Sequence, residues 1–367
     1  MSTGRVHGVS ASPGDAWTGR RSARRLLLRG ARRLALACCA GGLLGVTALA
    51  QTPEPAQTVY GPSPRGVEEW LERLQQGTTV ASYVGTYVVS SASGAMSSAR
   101  IWHACEGRRQ FERVDTLSGV PRSTFRRDDW VTTLLPQSRL MRSEQRVTGG
   151  VFPNLLGQAD GDTAADHYRV REAGRGRVAG LDADIVLFRP RDELRFGYRI
   201  WSERQTGLVL KIQTLDATGR VLEQAAFSEL QIDVPIDAVR PHLELPDASG
   251  FRSERVERQP VDMARSGWAM REPVAGFQPQ AGYQRDLSDE GETLQWVFSD
   301  GLATVSLFIE PYDLNRHRQA GVSAMGAPHA MSQRWPDEAG AWWLTLVGEV
   351  PQLTLTRLAQ GLARDEQ

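Results

Sequence analysis

Val67, Trp70, Leu71 and Leu74 fall at i, i+3, i+4 and i+7, the spacing that puts apolar side chains on one face of a helix. Ser63 is positioned to cap that helix and Pro64 to occupy its first turn, Glu69 and Arg73 are spaced to pair outside, and Gly77 ends it. From Ser82 the period changes to two. Residues 83–90, 96–105, 109–115, 122–128 and 130–135 alternate like successive strands, with turns at Ser93-Gly94, Glu106-Gly107 and Ser118-Gly119. A less regular stretch covers 149–174, with a short helical piece near Ala164 to His167. Strands resume at 184–189, 195–202, 208–215 and 221–232.

These strands are apolar on both faces. Phe196, Tyr198 and Ile200 share one side, but Trp201, Val209, Val84 and Val88 lie on the other. Such a sheet has to be covered by helices or curl around an interior, and curling under a helical lid leaves a cavity. After Asp247-Ala248-Ser249-Gly250 the pattern restarts. Residues 294–298, Ser299-Asp300-Gly301 and 303–310 form a hairpin, 342–348 a further strand, and Pro351 opens a helix with Leu355, Leu358, Ala359 and Leu362 on one stripe. The expected division is a signal over 1–50, a loose leader over 51–63, a first domain over 64–245, a linker over 246–260 and a second domain over 261–362.

The N-terminus reads as an export signal. Arginines crowd residues 20–33, an apolar run follows from Leu34 to Thr47, and Ala48-Leu49-Ala50 offers a cleavage site after Ala50. The run is too short to span a bilayer. Arg24-Arg25-Leu26-Leu27-Leu28 is similar to a twin-arginine signal, but Arg29, Arg32 and Arg33 interrupt its apolar part.

Charge narrows the function classes. The first fifty residues hold eight arginines and one acid, which leaves 35 basic and 42 acidic residues in the mature chain. That acidic body excludes a phosphate-tracking nucleic-acid binder. No nucleophile elbow, phosphate loop or paired CxxC occurs, and no cofactor or metal set is expected. His103 and Cys105 point the same way on one strand but are two ligands only, and the imidazole reads as a surface group. Asp182 and Asp184 share a strand face, as a solvated strand end would.

Several segments together resemble the RseB/MucB family of periplasmic regulators. They include Ser82-Tyr83-Val84-Gly85-Thr86-Tyr87, Arg100-Ile101-Trp102-His103, Phe111 to Asp115, Phe152-Pro153-Asn154, Arg195 to Trp201, Phe298-Ser299-Asp300-Gly301 and Val347 to Pro351. The resemblance implies an α+β, mainly antiparallel protein: a LolA/LolB-like unclosed β-barrel with a helical lid, then a smaller α+β domain. It implies no enzyme activity. It implies a periplasmic protein that binds the periplasmic part of a transmembrane anti-sigma factor (RseA or MucA). That partner is shielded from the first protease of envelope-stress signalling until lipid or a lipopolysaccharide fragment enters the cavity. The candidate cavity-lining residues are Tyr83, Tyr87, Trp102, Phe196, Tyr198 and Trp201. The runner-up is a LolA-type lipid or lipoprotein carrier, and the residues leave homo-oligomer formation open.

Overall fold

The computed structural model describes residues 64–364, except 81, 108, 146–151, 153–159, 288–290, 318, 338 and 339. The export signal, the leader, Ser63 and the Pro153-Asn154 pair lie outside the described residues. Helix α1 (Val67–Gly77) begins three residues later than the Pro64 expectation, because Glu69 Oε2 accepts the Gly66 N–H at 2.8 Å. The Glu69–Arg73 pairing gives way to this cap. Arg73 instead donates to the Glu203 and Arg204 carbonyls at 3.0 and 2.7 Å, tying the helix to a distant turn. At that turn Gly207 has φ +82°, and a Cβ there would strike the Arg73 carbonyl.

Twelve strands form the first sheet. The first six are β1 (Ser82–Ser91), β2 (Met96–Glu106), β3 (Arg109–Thr116), β4 (Ser123–Arg127), β5 (Trp130–Leu135) and β6 (Leu140–Gln145). Helix α2 (Gly161–His167) precedes β7 (Tyr168–Val178), β8 (Leu181–Pro190), β9 (Gly197–Glu203), β10 (Val209–Leu215) and β11 (Val221–Ile232). Helix α3 (Ile236–Leu243) leads to β12 (Arg252–Val256). The order is β12-β6-β5-β4-β3-β2-β1-β11-β10-β9-β8-β7, so the sheet is unclosed. All its pairs are antiparallel except β12 with β6. A register shift at Thr86/Tyr87 sharpens the twist, and the curl brings β7 against β11. Trp70, Leu71 and Leu74 of α1 enter the resulting core with Tyr83, Ile101, Phe188, Ile200 and Leu210.

The second sheet runs β13-β15-β16-β17-β20-β19-β18. Its strands are β13 (Arg258–Pro260), β15 (Gln278–Leu287), β16 (Gly291–Ser299), β17 (Thr304–Pro311), β18 (Gly321–Ala324), β19 (His329–Asp337) and β20 (Gly340–Gly348). Strand β14 (Trp268–Met270) pairs separately with β21 (Leu362–Arg364). Helix α4 (Gln352–Gly361) packs Leu355, Leu358 and Ala359 into this domain's core.

The 246–260 segment differs from a plain linker. Five of its residues pair with β6 and three with β15, so it crosses between the sheets as backbone-bonded strand. Its Arg/Glu alternation obscures this, because both strands lie at sheet edges, where charge is common; Arg258 turns in to pair with Glu144 at 3.0 Å.

The two domains meet around the loop between β8 and β9. Strand β9 starts at Gly197 rather than Arg195, which leaves Leu194 and Arg195 free to cross over. Leu194 belongs to the second domain's core. Arg195 is 1% exposed and donates from Nε to Asp300 Oδ2 at 2.6 Å and from Nη2 to the Ala275 carbonyl at 2.7 Å. Its Nη1 is paired with Asp192, and its guanidinium lies 5.0 Å from the Phe277 ring centre. Asp300 is fully buried in the β16–β17 turn, where Oδ1 accepts the Leu302 and Ala303 N–H groups at 2.9 and 2.7 Å. Tyr168 donates to Oδ2 at 3.3 Å. Thr354 of α4 adds a 2.6 Å bond to the Leu194 carbonyl.

Removing one partner of a buried, hydrogen-bonded ion pair leaves an uncompensated charge, at a cost of about 3–5 kcal/mol. Asp300→Ala is therefore expected to lower unfolding stability in urea by about that much. An Arg195→Met/Asp300→Ala double substitution should lose clearly less than the sum of the two single losses.

Candidate functional site

The inward faces of β1, β2, β10 and β11 are not filled completely by α1. They leave a cavity of about 580 Å³, inside the range of small-molecule sites. Tyr87, Val89, Ala99, Val114, Ile212 and Ala225 give it an apolar wall, which Phe152 completes at 5.2 Å from the Tyr87 ring. The polar part comes from both domains. Glu223 projects from β11, and Glu349 from the loop joining β20 to α4. Arg122, on the exposed rim, is the cation among the described lining residues.

Low dielectric governs the charge here. Burial, and secondarily the Glu223 carboxylate, push the Glu349 pKa up to about 7. Burial also raises that of Glu223, against the pull of a hydrogen bond from the Ala327 backbone. Burial, then Glu112, hold the Tyr87 phenol up at about 12, although Arg122 opposes them. The cavity thus carries two carboxylates from different domains, beside an apolar strip and the hydroxyl groups of Ser97, Ser98, Thr116, Ser118 and Thr214.

Of the six aromatic residues expected to line a cavity, Tyr87 does so. Tyr83 shares its face but is consumed by packing, stacked on His103 with ring centres 4.5 Å apart. Tyr198 is buried beside Tyr168, close enough to Glu349 and Asp300 that they add to the effect of burial in raising its pKa. Phe196 packs on His329 of the second domain. Trp102 and Trp201 occupy the outer face: Trp102 stacks on His242 of α3, and Trp201 lies 4.6 Å from Lys211 Nζ. The two glutamates were missed because the sheet's concave side and the domain contact are both needed to see them.

The weaker chemical candidates resolve into structure. His103 is 1% exposed, not a surface imidazole, and its Nε2 lies 3.3 Å from Cys105 Sγ. Burial works against its charged form, but Cys105 and Glu112 outweigh it and raise the pKa to about 9. Among the described residues no group of three or more metal-ligating side chains assembles. Asp184 lies 3.7 and 3.6 Å from Arg175 and Arg204, a surface ion-pair set, while Asp182 is exposed.

Comparison with known proteins places the chain. The MucB/RseB N-terminal domain model matches residues 66–244, and the MucB/RseB C-terminal domain model matches 262–363. The sigma factor AlgU regulatory protein MucB of Pseudomonas aeruginosa is 28% identical over 301 residues, covering 79% of this chain and 89% of the relative. The sigma-E factor regulatory protein RseB of Haemophilus influenzae is 23% identical over 302 residues, with the same coverage of both chains. In the solved MucA/MucB complex of Pseudomonas aeruginosa, the similar chain aligns with TM-score 0.64 at 25% identity, over 82% of this chain and 99% of that one. A second structure, of MucB in complex with MucA(peri), aligns at 0.60 and 26% identity, over the same 82% and 99%. The chain belongs to the MucB/RseB family, whose named members are regulatory proteins and not enzymes.

The Glu349 carboxyl makes a pH signature. Below about pH 4.5 it is protonated in both folded and unfolded chains. Between 4.5 and about 7 the unfolded chain releases a proton that the folded one keeps, so stability falls as pH rises, and the deficit persists above 7. Glu349→Gln is expected to abolish this fall, gaining on the order of 2–3 kcal/mol at pH 8 and nothing at pH 4, as read from urea midpoints.

Proposed function

We propose that this protein is an exported, periplasmic regulator that binds the periplasmic part of a membrane-spanning anti-sigma factor of the RseA/MucA kind. Bound, it keeps that segment from the first protease of the cascade, and the sigma-E-type factor stays sequestered. The observation that carries this reading is the two-domain match to MucB, solved with MucA as its partner, along the whole described chain. The buried Arg195–Asp300 pair supports a pre-assembled receptor, onto which an extended segment docks without paying for domain ordering.

The cavity supplies the input. A lipid or lipopolysaccharide fragment that binds better to the partner-free form shifts the population toward release, by no more than its differential affinity for the two forms. The LolA-type carrier reading uses the same cavity for cargo. It leaves the second domain without a role, although Glu349 of that domain forms part of the wall.

Saturating mature protein should slow cleavage of the purified anti-sigma periplasmic segment by the first protease at least tenfold. Unchanged cleavage would overturn the reading, and acyl-protein transfer between liposomes would favour the carrier instead.

A further inference from the structure

Four strands end the two large sheets, and three of them are guarded. Strands β7 and β12 carry arginine and glutamate, and β13 carries arginine and proline. An edge strand presents unpaired N–H and C=O groups, and charge or proline keeps another chain from adding to them. Strand β18, Gly321-Val322-Ser323-Ala324, has neither, and all four of its residues are exposed. From Gln319 to Gln333 the sequence holds no Asp, Glu, Lys or Arg.

The backbone of β18 is half used. The Met325 N–H donates to the Pro328 carbonyl at 3.0 Å and closes the turn into β19. Bonded and non-bonded pairs alternate from there, so Ser323 opposite Ala330 and Gly321 opposite Ser332 bond to β19. The N–H and C=O groups of Val322 and Ala324 point away from the sheet, and no backbone bond among the described residues takes them. An extended chain matches two donors and two acceptors at strand spacing.

The side chains set the rest of the partner. Val322 stands opposite Met331, and Met331 opposite Leu346, so an added strand continues the face that α4 covers. Val322 and Met325 are large apolar groups left exposed on this segment. Apolar residues at alternate positions of the incoming chain fit that face, and charge on either side is not called for. The edge also leads to the first domain. His329, opposite Ala324, has its ring centre 5.6 Å from that of Phe196, and a Cβ on Gly326 would strike Ser91 and the cavity residue Glu223.

We propose that β18 is the docking edge for an extended segment of the anti-sigma factor's periplasmic part, which joins the seven-stranded second sheet as a further strand with alternate apolar side chains on the Val322 face. This rests on the reading of the protein as the binder of that segment and names where the segment lies. The bound strand ends beside the cavity's mouth, where a lipid entering the cavity reaches it.

The test titrates the purified periplasmic segment into the mature protein and follows amide hydrogen exchange over residues 319–325. Binding should slow exchange there, at the Val322 and Ala324 amides, and leave β7 unchanged. Val322→Pro and Ala324→Pro each remove an outward N–H and no bond to β19, a position at which an edge strand tolerates proline. Each should weaken the segment roughly tenfold or more, with near-UV circular dichroism unchanged. Ala324→Lys, which installs the guard that the other edges carry, should do the same. Should the proline variants misfold, the lysine variant and the exchange of the unaltered chain still decide.

Binding with unchanged exchange over 319–325, or full affinity in all three variants, would overturn the edge assignment and leave the anti-sigma reading in place. No binding by the unaltered protein would overturn that reading as well. Sedimentation of the protein alone covers the other occupant: a dimer that the three variants dissociate, with segment affinity unchanged, gives the edge to a second copy of this chain and overturns the assignment.

Discussion

With the Thr354–Leu194 bond and the Tyr168 hydroxyl beside it, the junction of the two domains centres on a buried ion pair, Arg195 against Asp300. Neither residue is exposed enough for water to satisfy it, so each needs the other. Asp300 is held by two backbone N–H groups of its own turn, and Arg195 is anchored by Asp192 and a carbonyl of the second domain. The Gly276 backbone lies where any side chain would collide with the guanidinium, and its φ of +82° favours glycine in any case. The pair therefore fixes orientation as well as proximity.

From that junction the rest follows. With the domains fixed, the loop after β20 is carried to the open side of the curled sheet, where Glu349 comes to face Glu223. The first domain builds most of the hollow by curvature and register shift, and the charged end is shared between its Glu223 and the second domain's Glu349. An apolar pocket with an acidic terminus is a physical statement about what can enter. Among the described residues, the reactive-looking His103, Asp182 and Asp184 are spent on packing, solvent exposure and surface ion pairs.

Much of this was legible in the order of residues. The amphipathic stripe of α1, the alternating runs of β1 to β5 and β8 to β11, and the Ser-Asp-Gly turn all fold where periodicity places them. Strand β7 escaped because its sequence, Tyr168 to Val178, is studded with arginines and glycines; it is the sheet's outermost strand, where charge serves as protection and alternation of apolar residues is not needed. Strands β6, β15 and β19 are mixed in the same way. The site was harder. Trp102 and Tyr83 alternate correctly on adjoining positions of a two-faced sheet, but period alone does not say which face is concave. Glu349 sits in the Val347–Pro351 segment that carries part of the resemblance, but nothing near it in the chain reports the distant strand it faces.

Strand β12 has one more implication. It seals β6 in parallel from 112 positions further along the chain, then passes directly into the other sheet. A polypeptide emerging from its N-terminal end has β6 ready long before its neighbour arrives. The big sheet consequently has one margin that stays raw until the second domain starts to appear, a non-local closure that loop entropy makes slow. Any ligand or chaperone that recognises unpaired strand would find its opening in that interval.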